Sequence, residues 1–384
     1  MRIYPIGLLS SSTGSYGVIG QSMLNGAILA IEEVNAAAGS GLQLKPVVAD
    51  PGGELSRYPL LCRDMLDNGI RHVVGCYTSS SRKELIPLIE KRDALLWYPS
   101  HYEGFESSSN VVYTGAVPNQ HIIPLIDYML QQPHRKRVFC VGSNYIWAWE
   151  NNRVLREVLL PRGGSILGER YFPVGEEDFS QVIEAILANQ PDYVFNTLIG
   201  RSAYRFFSLF RAACLLRGID QARTIPVLSC SLSEPELAEI EPEARDGHIS
   251  ANVYFSSVES SENRRFVACY RRRFPSGPAV SADAEASYIA VHLLGLALNA
   301  AGTDAINAVL SVAGQQVLQA PQGQVCLDPR TMHAFLTPRI GRSRADGSFE
   351  IIHAASASLR PDPYLVRDTA RLESSRKPRL RIVS

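Results

Sequence analysis

Two hydrophobic periods alternate along this chain, and that alternation limits what it can fold into. Strand-like runs at Ile3–Leu9 and Leu44–Ala49 flank a segment in which Met23, Ala27, Ile31 and Val34 recur at helical spacing, which makes one βαβ unit. A helix over Arg57–Asn68 leads to a strand at His72–Tyr77, and a second helix leads to a strand at Ala94–Tyr98. Strands at Arg137–Val141, Asp192–Thr197, Pro226–Leu228 and His248–Tyr254 follow, separated by helical patterns near Asn152–Leu159, Phe179–Ala188 and Ala203–Arg217. This order predicts an α/β protein with doubly wound parallel sheets, covered by helices on both faces. After helices around Ala282–Ala301 and Asp304–Gln319 come short β runs at Gln324–Leu327, Pro338–Arg342 and Phe349–Ile352. The last two are joined across Arg344-Ala345-Asp346-Gly347, where Asp-Gly signals a hairpin.

The chain has 384 residues, about two ordinary domains' worth, and no repeat or low-complexity linker divides it. Two lobes that share the chain are expected. Lys plus Arg equals Asp plus Glu at 38 each, so no global field is available to hold nucleic acid or anionic lipid. Basic clusters at Arg264-Arg265 with Arg271-Arg272-Arg273, and in the tail at 367–381, read as a solvated helix face and a frayed terminus. The most apolar stretch, Ser287 to Gly302, is shorter than the ~20 residues that span a bilayer, so no membrane insertion is expected. The first strand begins at once, without a basic n-region or apolar h-region, which predicts a cytoplasmic protein. A periplasmic location would follow if a signal peptide has been removed. The seven cysteines are widely spaced in apolar runs and read as buried free thiols of a reducing compartment.

Motifs of catalysis and cofactor binding are missing: there is no phosphate loop, no H-E-x-x-H, no C-x-x-C and no G-x-S-x-G elbow. No cofactor or metal is expected. Gly14-Ser15-Tyr16-Gly17-Val18-Ile19-Gly20 lacks the G-x-G opening of a dinucleotide loop and reads as a mobile turn before the first helix. The eight histidines are scattered, and His72 and His292 in apolar contexts read as structural.

In open α/β sheets, ligands bind beyond the carboxyl ends of the strands. Past His72–Gly75 comes Cys76-Tyr77-Thr78-Ser79-Ser80-Ser81-Arg82-Lys83-Glu84, where Ser81 and Glu84 fit a capping box. Ser80 and Ser81 read as caps, and Ser79, one residue further out, reads as a ligand contact near unpaired helix N–H groups. The next two strand ends carry Trp97-Tyr98-Pro99-Ser100-His101-Tyr102 and Asn144-Tyr145-Ile146-Trp147-Ala148-Trp149. Large aromatics at three successive strand ends predict a small pocket with rigid walls and a few hydroxyls.

At these residues the sequence resembles the type I periplasmic-binding-protein family, in its branched-chain amino acid, urea and amide receptor group. The words that carry the resemblance are Asp50-Pro51-Gly52-Gly53, Gly75-Cys76-Tyr77-Thr78-Ser79 with Arg82-Lys83, and Tyr98-Pro99 followed by Tyr102-Glu103-Gly104-Phe105-Glu106. They continue through Pro118-Asn119-Gln120, Gly142-Ser143-Asn144-Tyr145, Ala320-Pro321-Gln322-Gly323 and Arg360-Pro361-Asp362-Pro363-Tyr364. The resemblance implies two Rossmann-like lobes joined by three crossings: residues 1–118 plus 256–320 in one, and 119–255 plus 321–384 in the other. It also implies a ligand held between them with no chemistry done on it. Carried over position by position, Tyr77, Ser79, Tyr98, Ser100 and Tyr145 would line the site, with Tyr102 a weaker member.

Two departures stand out. Trp147 replaces an expected Tyr, which would reshape the pocket, and Arg201 stands where a small or acidic residue is expected, which would recruit an anion if it faced the cleft. Amino-acid receptors of this group hold the ligand ammonium with an acidic residue. The corresponding run here, Ser229-Cys230-Ser231, has none, which favours a neutral amide or urea.

The resemblance implies a non-catalytic cytoplasmic amide sensor that negatively regulates amidase expression through a partner protein such as an antiterminator. The alternative it allows is the substrate-binding protein of an ABC permease for urea, short amides or branched-chain amino acids. A homo-oligomer is left open. An amide-processing enzyme would need a nucleophile beside a general base, and the predicted site offers hydroxyls with only His101 close by.

Overall fold

A computed structural model describes residues 2–37, 41–132 and 135–366, so the basic tail at 367–381 lies outside the described residues. The first lobe begins with β1 (Arg2–Leu9), α1 (Gly17–Ala36), β2 (Leu42–Ala49), α2 (Arg57–Asp67), β3 (His72–Gly75), α3 (Ser79–Lys91), β4 (Leu95–Tyr98) and β5 (Val111–Tyr113). The chain then crosses to build α4 (Ile122–Gln131), β6 (Arg137–Ser143), α5 (Ile146–Leu159), β7 (Ser165–Phe172), α6 (Ser180–Asn189) and β8 (Tyr193–Thr197). The second lobe continues through α7 (Arg201–Leu215), α8 (Gln221–Thr224), β9 (Val227–Ser229), α9 (Glu234–Glu239) and β10 (Ile249–Asn252). A return to the first lobe supplies α10 (Ser261–Arg273), α11 (Ala282–Ala301), α12 (Ile306–Ala313), β11 (Val317–Ala320), β12 (Gly323–Asp328) and β13 (His333–Ala334). The hairpin of β14 (Arg339–Ser343) and β15 (Phe349–Ala354) completes the second lobe.

The first sheet has the order β11-β12-β13-β5-β4-β3-β1-β2, and the second has β15-β14-β10-β9-β8-β6-β7. From β5 to β2 and from β10 to β7 all pairings are parallel, with antiparallel strands added at one edge of each sheet. Both faces of each sheet are packed. In the first lobe, α1 and α11 cover one face through Ile31, Leu294 and Leu298 against Ile6, Leu8 and Trp97. On the other face Tyr58, Met65, Leu85 and Ile89 of α2 and α3 pack on Val73 and Leu96. Burying one such aliphatic side chain is worth about 1.5–3 kcal/mol, so these layers hold the site's scaffold rigid.

Four features depart from the sequence reading. The second lobe does not start again at residue 321, because Leu327 pairs with Ala334 and His333 with Tyr113, which ties β12 and β13 into the first sheet. The last crossing therefore falls between Ala334 and Arg339. Nor does the second lobe keep the residues after β15. That segment runs back along the junction, where Leu359 bridges Leu336, Asp362 N–H and Arg360 C=O bond the Asn119 side chain at 2.9 Å each, and Arg360 Nε meets Asp328 at 2.6 Å. The helix expected over Asp304–Gln319 stops at Ala313, and Val317 and Leu318 join an antiparallel ladder with Cys326 and Val325. The turn at 14–20 is tightly packed: a Cβ on Gly20 would lie 1.8 Å from Ser11 O, so glycine serves close backbone approach there.

By length and composition α11 could cross a membrane, but most of it is buried between α1 and the first sheet, as a core helix is. His72 is structural as expected: its ring accepts from Trp97 Nε1–H at 3.4 Å and meets Asp304 O at 3.1 Å, and burial holds its pKa down at about 4.

Candidate functional site

The two sheets point the carboxyl ends of their parallel strands at each other. Between them lies a cavity lined by Tyr77, Ser79, Ser100 and His101 from the first lobe and Tyr145, Trp147 and Ile199 from the second. The lobes touch around it. Arg201 N–H donates to Ser15 O at 3.2 Å, and Tyr16, Ile19, Met23 and Tyr77 pack into the second lobe's core beside Trp147, Ile199 and Leu228. With the lobes in contact the cavity is small, about 10 Å³.

Each lining residue has a local reason for its position. The β3 strand ends in Gly75 at φ 144° and Cys76 at φ 51°, and this kink turns Tyr77 toward the cleft. Thr78 is the N-cap of α3, its side chain accepting from Ser81 N–H at 3.2 Å. The expected capping box at Ser81 and Glu84 is thus displaced by three residues, and Ser79 is the first residue of the helix. Its hydroxyl donates to Glu103, which is paired with Arg82 at 3.0 Å. Arg82 is fully buried between the rings of Tyr98 and Tyr102, 4.8 and 4.4 Å from their centroids, and also binds Glu106 at 2.7 Å.

Ser100, just past β4, donates to Asp283 at 3.0 Å, and His101 Nδ1 lies 3.4 Å from the same carboxylate oxygen. Asp283 sits in the first turn of α11. Tyr145 caps α5 with extended backbone and Trp147 follows in the helix, its ring 6.5 Å from Tyr145 and 5.5 Å from His101. The indole N–H of Trp147 is buried and makes no hydrogen bond among the described residues, so it is a free donor at the cavity wall.

Of the expected site residues, Tyr77, Ser79, Ser100, Tyr145 and Trp147 come together. Tyr98 and Tyr102 do not reach the cavity: Tyr98 donates to Tyr77 O at 2.8 Å, and Tyr102 meets His333 Nε2 at 2.7 Å, both supporting the wall from behind. Arg201 is exposed in the first turn of α7 and is not among the residues lining the cavity, and its backbone N–H bonds the first lobe. Trp149, although in the same motif, is on the surface.

The acidic residues went unseen. Glu236 is buried in the first turn of α9, bonded to Ser233 N–H at 2.9 Å and facing Tyr204 OH at 3.5 Å. Burial, with Asp283 adding to it, raises its pKa to about 8, and both carboxylates act on Tyr77. Acid therefore lies behind the cavity wall, with Asp283 bonded to Ser100 and Glu236 a few residues past the Ser229-Cys230-Ser231 run in which none was found, although neither is among the residues lining the cavity. In sequence, Glu236 looks like the end of the Ser233 capping box and Asp283 like an ordinary first-turn acid after the Ser281 cap, and nothing marks either as close to the cleft.

Glu236 raised to about 8, with Glu234 and Glu285 raised to about 7 by burial, gives a testable pH dependence. These acids hold protons in the folded state that the unfolded chain releases above about 4.5, so their stabilisation is lost as pH rises through 7 to 8. Buried His72, His121, His248 and His333, with lowered pKa values, oppose this only below about 6.5. We expect the melting temperature to fall between pH 6.5 and 8.5, and Glu236→Gln to flatten that fall in scanning calorimetry. A wild-type melting temperature that is level over this range would contradict the assignment.

Catalysis finds no support in the geometry. Ser100, His101 and Asp283 contain the residue types of a triad, yet the serine bonds the carboxylate directly and not the imidazole. Burial pushes the Cys62 and Cys76 thiols up to about 12, which leaves them poor nucleophiles.

Two α/β lobes closing on a small, aromatic-walled polar cavity define a receptor that encloses a small molecule. The periplasmic binding protein domain family matches residues 4–370, and this chain belongs to that family of ligand-binding proteins. The Leu/Ile/Val-binding protein homolog 6 of Brucella abortus is 22% identical over 274 residues, 70% of this chain and 69% of that one. A solute-binding protein of an ABC transporter from Rhodopseudomonas palustris HaA2, solved with p-hydroxybenzoic acid, superposes with a TM-score of 0.84 at 17% identity, over 96% of this chain and 100% of the other. The branched-chain amino acid transporter substrate-binding protein LivJ of Streptococcus pneumoniae, solved with isoleucine, gives 0.80 at 19% identity, over 94% and 100%.

Proposed function

We propose that this protein is the solute receptor of an ABC importer, working outside the cytoplasmic membrane and handing its ligand to a permease. Its ligand is a small nitrogen-bearing solute, an amino acid, short amide or urea-like compound. One observation carries the ligand class: Glu236 and Asp283, one from each lobe, are buried within each other's field, and among the described residues neither pairs with a Lys or Arg. Glu236, which holds its proton below about pH 8, and the Asp283 carboxylate offer acceptors to a ligand that brings N–H groups, whereas an anion would meet the Asp283 charge. The Trp147 indole N–H and the first-turn amides of α3 supply donors for the ligand's carbonyl end. The names of the similar proteins, for branched-chain amino acids and for ABC transport, support the importer role.

A thermal-shift series with leucine, isoleucine, acetamide, butyramide, urea, acetate and benzoate tests this. A specific binder at about 100 times its Kd adds roughly 2.7 kcal/mol of stability. We expect a nitrogen-bearing compound to raise the melting temperature and the simple carboxylates to leave it unchanged. A response to benzoate or acetate alone would overturn the ligand class.

The second reading is the cytoplasmic amide sensor acting on a regulator protein. It is favoured by the cysteines, which are unpaired and mostly buried, as suits a reducing compartment. Cell fractionation separates the two readings: the receptor is recovered with the exported fraction and the sensor with the cytosol.

A further inference from the structure

We infer that Glu103 sets the hydrogen-bond polarity of Ser79, so that the head of the cleft accepts a carboxamide or ureido group and disfavours a carboxylate. The inference rests on the reading of this cleft as a solute site, and narrows it. Ser79 has one hydroxyl proton, and that proton is donated to Glu103. Glu103 cannot return it, because its other oxygen accepts from Arg82 Nη2 at 3.0 Å, and a carboxylate held in an ion pair is acceptor only. Arg82 Nη1 also reaches Ser79 Oγ at 3.4 Å and takes up one of its lone pairs. What remains for the cavity is the second lone pair, so Ser79 meets a ligand as an acceptor.

Beside it, the amides of Ser79 and Ser80 open α3 and have no carbonyl partner within the helix. The head of the cleft thus sets donors next to an acceptor. A primary amide or a urea matches both, its C=O toward the α3 amides and its N–H toward Ser79. A carboxylate turns a second acceptor on the Ser79 lone pair, with Glu103 directly behind. Glu103 is a positioning residue here: it acts on the ligand through Ser79, and it is buried with 2% of its surface exposed.

The test uses matched pairs, butyramide against butyrate and leucinamide against leucine, titrated calorimetrically into wild type, Glu103→Gln and Ser79→Ala. Wild type is expected to prefer the amide of a pair by about tenfold or more. In Glu103→Gln the side-chain amide can donate to Ser79, which frees the hydroxyl proton for the ligand, and the preference is expected to shrink by about tenfold or invert. Ser79→Ala separates polarity from simple field: it keeps the Glu103 charge but removes the acceptor, so the preference is expected to be lost there too. If Ser79→Ala retained the full wild-type preference, or if wild type preferred the carboxylate, the inference would be overturned while the solute site stood. Were Glu103→Gln unable to fold, the Ser79→Ala comparison decides alone. Should no member of the panel bind wild type, the solute reading itself fails, and this inference with it.

Discussion

Replacing Arg82 with methionine is expected to destabilise the protein by about 3–5 kcal/mol, the usual consequence of leaving one partner of a buried ion pair uncompensated. Arg82 is entirely buried, and its guanidinium joins Glu103, Glu106 and the Ser79 hydroxyl while lying between two tyrosine rings. Methionine fills much of the volume, so the cost falls on the carboxylates and not on a cavity. Glu103, buried itself, would keep only the more distant Lys83 at 3.9 Å as a cationic neighbour. Arg82→Lys restores charge without the planar fork and should recover part of the loss. Arg82→Met combined with Glu103→Gln should recover more, since the stranded charge is removed. Urea unfolding midpoints measure all three, and a loss below about 1 kcal/mol for Arg82→Met would mean that the network is solvated in solution.

The second large effect concerns closure. Gly200 has φ 58° and ψ −141°, a conformation open only to glycine, and a Cβ there would lie 2.4 Å from Ser15 O of the opposite lobe. The neighbouring Arg201 N–H makes the interlobe bond to that same carbonyl. Gly200→Val is therefore expected to hold the lobes apart and weaken binding of the solute found in the thermal series by about 100-fold, or roughly 2.7 kcal/mol. Titration calorimetry reads the affinity, and small-angle scattering reads whether the variant still compacts when solute is added. Unchanged affinity with normal compaction would show that the Gly200 contact is incidental to closure.

How far the sequence could be read depends on the distance over which each feature is decided. The order of strands along the chain and the polar ends after β3, β4 and β6 follow from local periodicity, and Ser79 was read from it, whereas Tyr77, Ser100, Tyr145 and Trp147 were named through the family resemblance, and His101 and Ile199 were not named as site residues. Tyr98 and Tyr102 resemble Tyr77 in context, but which of several neighbouring tyrosines faces the cavity is set by the twist after each strand, and Tyr98 ends its strand inside the core. Arg201 was misread because a helix's first residue can turn outward as easily as inward. Glu236 and Asp283 stayed hidden because each fits a helix start so well that no further role is needed. The boundary after Ala320 failed because β13, which β12 pairs with, is joined to β5, a partner distant in the chain.

The way the chain weaves between lobes also bears on how the molecule is made. During synthesis β10 emerges with one edge bare, and that edge is paired only when Arg339–Ser343 arrives after the whole of α10 through β13. The junction closes later still, when Arg360 and Asp362 reach Asn119 and Asp328. Neither lobe is a continuous segment that a ribosome could release finished. Late pairing of this kind slows folding and leaves strand edges open to wrong partners, so chains truncated before residue 339 should depend on chaperones or aggregate.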